Sequence, residues 1–321
     1  HMRISLLLAV LALALGACDG TTDDDFTPQL VVAAQLGAGE PLPSVRLTRT
    51  SPFLDVYDPT DLGVVGATVT VTRTGADEAV YVYVPTQTPG VYAPAGASVT
   101  VTAGTTYRLR VEADGETVTA ETTVPPTLLT VGEPQVSVVY GVGQGPEVRV
   151  NRTSTAERQA TFVATTRALD PADFVEVDVD GETFYRSVPG SGFLLTPIYA
   201  RILDCEDEEG GTILCAEDPR DDGIRSGTSP VINEASYIDL GDGSLLVQVP
   251  FLAFGYYGPS RVSLVSLDAA LQAFVQTQAV QLGGSTLSPG EIPNVTTNVV
   301  GGLGLFGSYA RGSNQTEIVE P

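Results

Sequence analysis

Period-two alternation of valine and threonine is the pattern that most constrains this chain. Ala67-Thr68-Val69-Thr70-Val71-Thr72-Arg73 sets valine and threonine on opposite sides of an extended backbone, because successive strand side chains point to opposite faces. Both residues are β-branched and stiff, which favours a pleated surface over a helix. The same signal predicts strands at 29–36, 43–50, 80–84, 107–111 and 116–124, the last two flanking the hairpin dipeptide Asp114-Gly115. Glycine, proline, aspartate and asparagine punctuate these runs. Their spacing predicts an immunoglobulin-like β-sandwich of about seven strands over 28–126, closed by the stiff pair Pro125-Pro126.

Residues 127–321 read as a second β-rich domain. Strands are predicted at 135–140, 147–151, 160–167, 174–179, 182–188, 244–251 and 261–267, with a hairpin turn at Asp180-Gly181. One short helix is predicted at 269–280, capped by Asp268 and carrying Leu271, Phe274 and Val275. The C-terminal run Gly301-Gly302-Leu303-Gly304-Leu305-Phe306-Gly307 is too rich in glycine for a helix interior and suits close packing. The fold class is therefore all-β with a single helix.

The start of the chain carries a different message. Arg3 precedes an apolar run at 4–15, and Leu15-Gly16-Ala17-Cys18 follows the pattern of a lipobox. On this reading 1–17 are a lipoprotein signal peptide, Cys18 is the lipidated first residue of the mature chain, and 18–27 are an acidic tether. A permanent spanning helix fits less well, because the run falls short of roughly 20 residues and lacks a basic flank. A plain cleaved signal peptide, leaving Cys18 an ordinary thiol, is the other alternative. Asp23-Asp24-Asp25 form a solvated linker and resemble the surface-export signal of Bacteroidetes lipoproteins.

Composition narrows the chemistry. The chain has 39 acidic against 16 basic residues, and every basic one is arginine. Such a balance disfavours nucleic acid as a partner, since phosphate binding needs clustered cations. His1, the sole histidine, precedes Met2 and is set aside. The histidine-dependent nucleophilic mechanisms and the commonest metal ligand therefore fall away. Carboxylates are plentiful, but no pair stands out for glycoside hydrolysis. The reading is a non-enzyme with no catalytic residues, cofactor or metal site. Asp178-Val179-Asp180-Gly181-Glu182 superficially resembles the start of a calcium loop, but the glutamate at its twelfth position is absent and a hairpin fits better. Weak calcium binding by 206–209 and 217–222 stays open, with a solvated face preferred. Phe251, Phe254, Tyr256 and Tyr257 are read as core before binding strip.

Several stretches together resemble one family: Leu30-Val31-Val32-Ala33-Ala34; Val45-Arg46-Leu47-Thr48-Arg49-Thr50-Ser51-Pro52-Phe53; Gly104-Thr105-Thr106-Tyr107-Arg108-Leu109-Arg110-Val111; and Asn298-Val299-Val300-Gly301-Gly302-Leu303-Gly304-Leu305-Phe306-Gly307. This set is similar to the domain of unknown function 4249 family of Bacteroidetes-type lipoproteins. The resemblance implies an outer-membrane lipoprotein, held by its lipid and facing the cell surface or the periplasm. It also implies a binding or accessory role beside a TonB-dependent transporter. It supplies no catalytic residue and no ligand, so a small molecule or a glycan is left open. A structural or adhesive surface protein is the alternative.

Cys205 and Cys215 are the only other cysteines, and an exported location permits them to pair. Peptide mapping of protein from its native envelope, without reduction, is expected to yield one cross-linked peptide joining them. Two alkylatable free thiols would refute the pairing.

Overall fold

The computed structural model describes residues 26–52, 58–155, 158–159, 161–169, 174–179, 182–187, 203–206, 212–216, 226–232, 237–255, 257–283, 296–319 and 321. The first half forms β1 (Leu30–Gly37), β2 (Val45–Arg49), β3 (Thr68–Arg73), β4 (Ala79–Pro85), β5 (Val91–Pro94), β6 (Thr106–Ala113) and β7 (Glu116–Thr123), all but β5 where alternation predicts them. In β6 the pattern is complete: Tyr107, Leu109 and Val111 are fully buried, while Arg108, Arg110 and Glu112 face solvent. β6 and β7 join through Asp114 and Gly115, both at positive φ (52° and 81°), as a two-residue turn between twisted strands requires. The four-residue β5 lacked a sequence signal. Its Tyr92 is nonetheless core, and its hydroxyl donates to the Val64 carbonyl while accepting from the Ala67 amide.

The second half adds β8 (Ser137–Val139), β9 (Glu147–Asn151), β10 (Ser154–Thr155), β11 (Arg158–Gln159), β12 (Phe162–Ala168), β13 (Phe174–Val179), β14 (Glu182–Ser187), β15 (Leu203–Glu206), β16 (Thr212–Ala216), β17 (Ser226–Thr228), β18 (Tyr237–Asp239), β19 (Ser244–Gln248) and β20 (Gly258–Leu267). Helix α1 (Ala269–Gly283), β21 (Val299–Val300) and β22 (Leu303–Val319) complete it. The strand expected at 244–251 stops at Gln248, because Phe251–Ala253 turns as a short 3₁₀ segment after Pro250.

The protein is thus mostly β, with one large mixed sheet and smaller ones. The large sheet runs β17-β12-β20-β22-β1-β2-β5-β4-β3-β6-β7-β21, with β8 also on β22. Smaller sheets are β18-β19-β9, β13-β14-β16-β15 and the pair β10-β11. The element that the sequence reading did not identify is β22: the glycine-rich segment, read only as suited to close packing, begins a 17-residue strand. Its first part runs parallel to β1, from Val31↔Leu303 to Gly37↔Tyr309. Its later part runs antiparallel to β20, from Leu267↔Tyr309 to Gly258↔Ile318.

Three cores result. The first gathers side chains from Leu30 to Val124 together with Val299 and Phe306. The second begins at Leu128 and includes Val148, Phe162, Leu245, Leu264, Ala310 and Ile318. The third, under α1, joins Val163, Val265, Leu267, Leu271 and Leu305. The first two cores change over along the chain at Pro125-Pro126, and β22 then carries the chain back into the first.

Glycine lets β22 make these approaches. A Cβ at Gly304 would lie 1.9 Å from the Val32 carbonyl oxygen, and its φ of +110° is itself hostile to other residues. Gly39, at φ +77°, has open space around it. Gly304→Ala is expected to cost about 3 kcal/mol or more, against about 1 kcal/mol for Gly39→Ala. Urea unfolding midpoints, with unchanged slope, check the contrast; equal losses would refute it.

Candidate functional site

Two polar constellations stand out, and the first lies where the described chain begins. Arg49, the last residue of β2, donates to Asp114 Oδ2 at 2.7 Å, to Glu116 Oε2 at 3.1 Å and to the Pro28 carbonyl at 3.3 Å. One guanidinium thereby ties the N-terminal stretch to the β6–β7 turn, and hydrogen bonding to Asp114 holds it protonated against desolvation. Beside it opens a cleft of about 580 Å³ lined by Phe26, Pro28, Thr50, Asp61, Leu62 and Val65. Phe26 and Val65 stay 45% and 70% exposed. Asp114 and Glu116 are both engaged by Arg49.

The second constellation is buried. Asp268 follows β20 and caps α1, accepting from the Leu271 amide at 2.8 Å. Its other oxygen accepts from Thr122 Oγ1 at 2.5 Å, and Ser308 Oγ lies 2.6 Å from Thr122 Oγ1. Since the Thr122 proton is committed to Asp268, Ser308 donates to Thr122. Burial raises the Asp268 carboxyl above the ordinary aspartate range, against the hydrogen bonds that favour its charged form. A short side chain with a free oxygen before an apolar run is what a cap needs, so the cap was legible. The link to Thr122, far away in sequence, carried no local signal.

Next to this seam, Asn298 stands in for a piece of strand. Its Nδ2 donates to the carbonyls of Glu121 (2.9 Å) and Phe306 (2.8 Å), while Oδ1 accepts from the Phe306 amide (3.0 Å). β7 and the start of β22 are joined through one side chain.

The sequence-predicted residues fare differently. Leu15, Gly16, Ala17 and Cys18 lie outside the described residues, as do Tyr256, Asp180, Gly181, 207–209 and 217–222. Cys205 pairs in register with Ile213, and Cys215 with Leu203, so the cysteines stand two positions apart on neighbouring strands of one hairpin. Val179 pairs with Glu182, which makes 174–187 a hairpin. Phe254 and Tyr257 are core, and Phe251 is half-buried. Among the described residues no group of three His, Cys, Asp or Glu side chains gathers to hold a metal ion. No described helix is long and apolar enough to cross a membrane.

The chain belongs to the family described as "Domain of unknown function (DUF4249)", whose family model matches residues 19–315. No curated protein matches it.

The buried Asp268 has a titration consequence. Its folded-state value lies above the unfolded one, so the stability linked to it is fully present below the unfolded value of about 3.9. That stability is lost as pH rises through the folded value. Asp268→Asn keeps the oxygen that caps Leu271 and cannot ionise. The stability difference between the two proteins is expected to move in favour of the variant as pH rises from about 4 toward 7. Urea titrations across that range check it; a difference independent of pH would refute it.

Proposed function

We propose that this DUF4249 protein is a lipid-anchored, non-catalytic component of the outer membrane, facing the cell surface and serving as a binding or accessory partner of a TonB-dependent uptake system. The observation that carries the anchor is the lipobox-like run Leu15-Gly16-Ala17-Cys18 after the apolar stretch at 4–15; the family match, at residues 19–315, lies downstream of it. The resemblance to Bacteroidetes-type lipoproteins supports the compartment and the transporter. We read the first core as an immunoglobulin-like module presented by this anchor.

Physically, each buried methylene of an acyl chain contributes about 0.8 kcal/mol, so two or three chains hold the protein on the bilayer. Residues 19–25 reach about 25 Å at full extension. The Phe26 and Arg49 end of the first core is thereby kept near the headgroups. Confinement to a surface raises the effective concentration of the protein beside a transporter without any new contact, as linkage does for tethered modules.

Cys18→Ala in the native host is expected to abolish acylation and to move the protein from the membrane fraction into an uncleaved or soluble form. Fractionation and mass spectrometry of residue 18 check this. A variant that still sediments as mature membrane protein, or wild-type protein with an unmodified Cys18, would overturn the anchor. Recovery of a transporter with the solubilised wild-type protein, and its loss with the variant, tests the partner.

A further inference from the structure

We propose that the edge of β8 opposite β22 is a docking site, at which an extended segment of a partner polypeptide adds as a further strand. That segment would be apolar at alternate positions and flanked by lysine or arginine. The inference deepens the accessory reading above and rests on it only for the direction the site faces.

β8 pairs in parallel with the end of β22, through Glu317↔Ser137, Ile318↔Val138 and Val319↔Val139. Among the described residues no strand pairs with its other edge. The Val136 carbonyl accepts from the Glu317 amide at 3.0 Å, and the Tyr140 amide donates to the Val319 carbonyl at 2.9 Å. Even-numbered backbone groups therefore face β22, and the amides of Ser137 and Val139 face away from it. Proteins ordinarily guard such edges with charge, proline or a bulge. Ser137-Val138-Val139 has none of these within it; the edge is short, and its outward Val139 carbonyl already accepts from the Val142 amide, which leaves the Ser137 carbonyl and the amides of Ser137 and Val139 on the outer side.

The surroundings are apolar and acidic together. Val136 is 81% exposed, Val142 60%, Val139 39% and Val319 38%. Tyr140, immediately after β8, packs its ring 5.0 Å from Phe251 and 5.7 Å from Tyr257, which gives the edge a rigid floor. Strand addition draws affinity from main-chain hydrogen bonds and specificity from alternate side chains. Glu133, Glu147 and Glu317 are exposed around the edge, and Arg149 nearby is paired with Asp242. Charge complementarity thus asks for cationic flanks on the incoming strand. Position agrees: β22 starts beside Val31, close to where the tether joins, and carries β8 at its far end, about 50 Å of strand away.

The test uses the full chain carrying Cys18→Ala, in solution, so that it is independent of the anchor. The probes are the synthetic peptide Lys-Val-Thr-Val-Thr-Val-Lys and its counterpart with glutamate at both ends. The lysine-flanked peptide is expected to bind at least tenfold more tightly by fluorescence anisotropy, to weaken with salt, and to slow hydrogen exchange at Ser137 and Val139. Ser137→Pro, which removes an outward amide and leaves the ladder to β22 intact, is expected to weaken binding at least tenfold. Val142→Lys, outside the strand, which removes an apolar side chain and sets like charge against the flanks of the peptide, is expected to weaken it too. Equal binding of both peptides, full binding by Ser137→Pro, or a dimer abolished by Ser137→Pro would each overturn the proposal. The last would mean that the edge pairs with its own copy. None of these results bears on whether Cys18 is acylated.

Discussion

Everything in this fold depends on one strand serving three cores. On β22 the even-numbered face places Phe306 in the first core and Ala310 and Ile318 in the second, while Leu305 on the odd face lies under α1. Its neighbours change along its length. β1 flanks its start and β8 its end on one side; on the other, β20 accompanies it back to Tyr309, beyond which Thr122 of β7 reaches Ser308. A strand shared in this way ties the halves together by backbone hydrogen bonding as well as by apolar burial. Loss of its register would move every even side chain to the odd face.

The handover between neighbours is polar. Ser308 sits between Phe306 and Ala310 with no solvent exposure, at the position where one core gives way to the next. A buried hydroxyl costs free energy unless it is hydrogen-bonded. The chain Ser308 to Thr122 to Asp268 satisfies two buried hydroxyls and a carboxyl group and ends on a helix cap. Asn298 does the same for the backbone of Glu121 and Phe306. Apolar contacts set how much is buried here. Directional bonds from four side chains set which strand lies next to which.

Legibility in the sequence followed the number of buried faces. β3 and β6 bury one face, so valine and leucine alternate with threonine and arginine and the period is plain. β22 is buried on both faces in its first part, and backbone or side chains crowd against it there. Gly304 meets the Val32 carbonyl, Gly307 the Leu271 side chain and Gly312 the Leu128 carbonyl. Glycine there records close approach, which the sequence showed, but it erases the alternation that would mark a strand. The cap at Asp268 was legible because its cause is local. Its partners Thr122 and Ser308 were not, because only the fold brings them together. Cys18 and its neighbours were read from a linear signal and lie outside the described residues.

The ion pairs have a different role from the cores. Among the arginines that pair with carboxylates are Arg49, Arg108, Arg110, Arg149, Arg152 and Arg311. Most of these pairs are exposed, and such pairs contribute about 0–1 kcal/mol each. They add little to stability beside the apolar cores. Their consequence is for recognition: the charge of these arginines is already matched locally, while 39 acidic residues against 16 basic ones leave much of the negative charge unmatched. A partner held by electrostatics must therefore bring its own cations. This same balance disfavours phosphate-rich ligands and makes an acidic, apolar edge such as β8 selective for a strand with basic flanks.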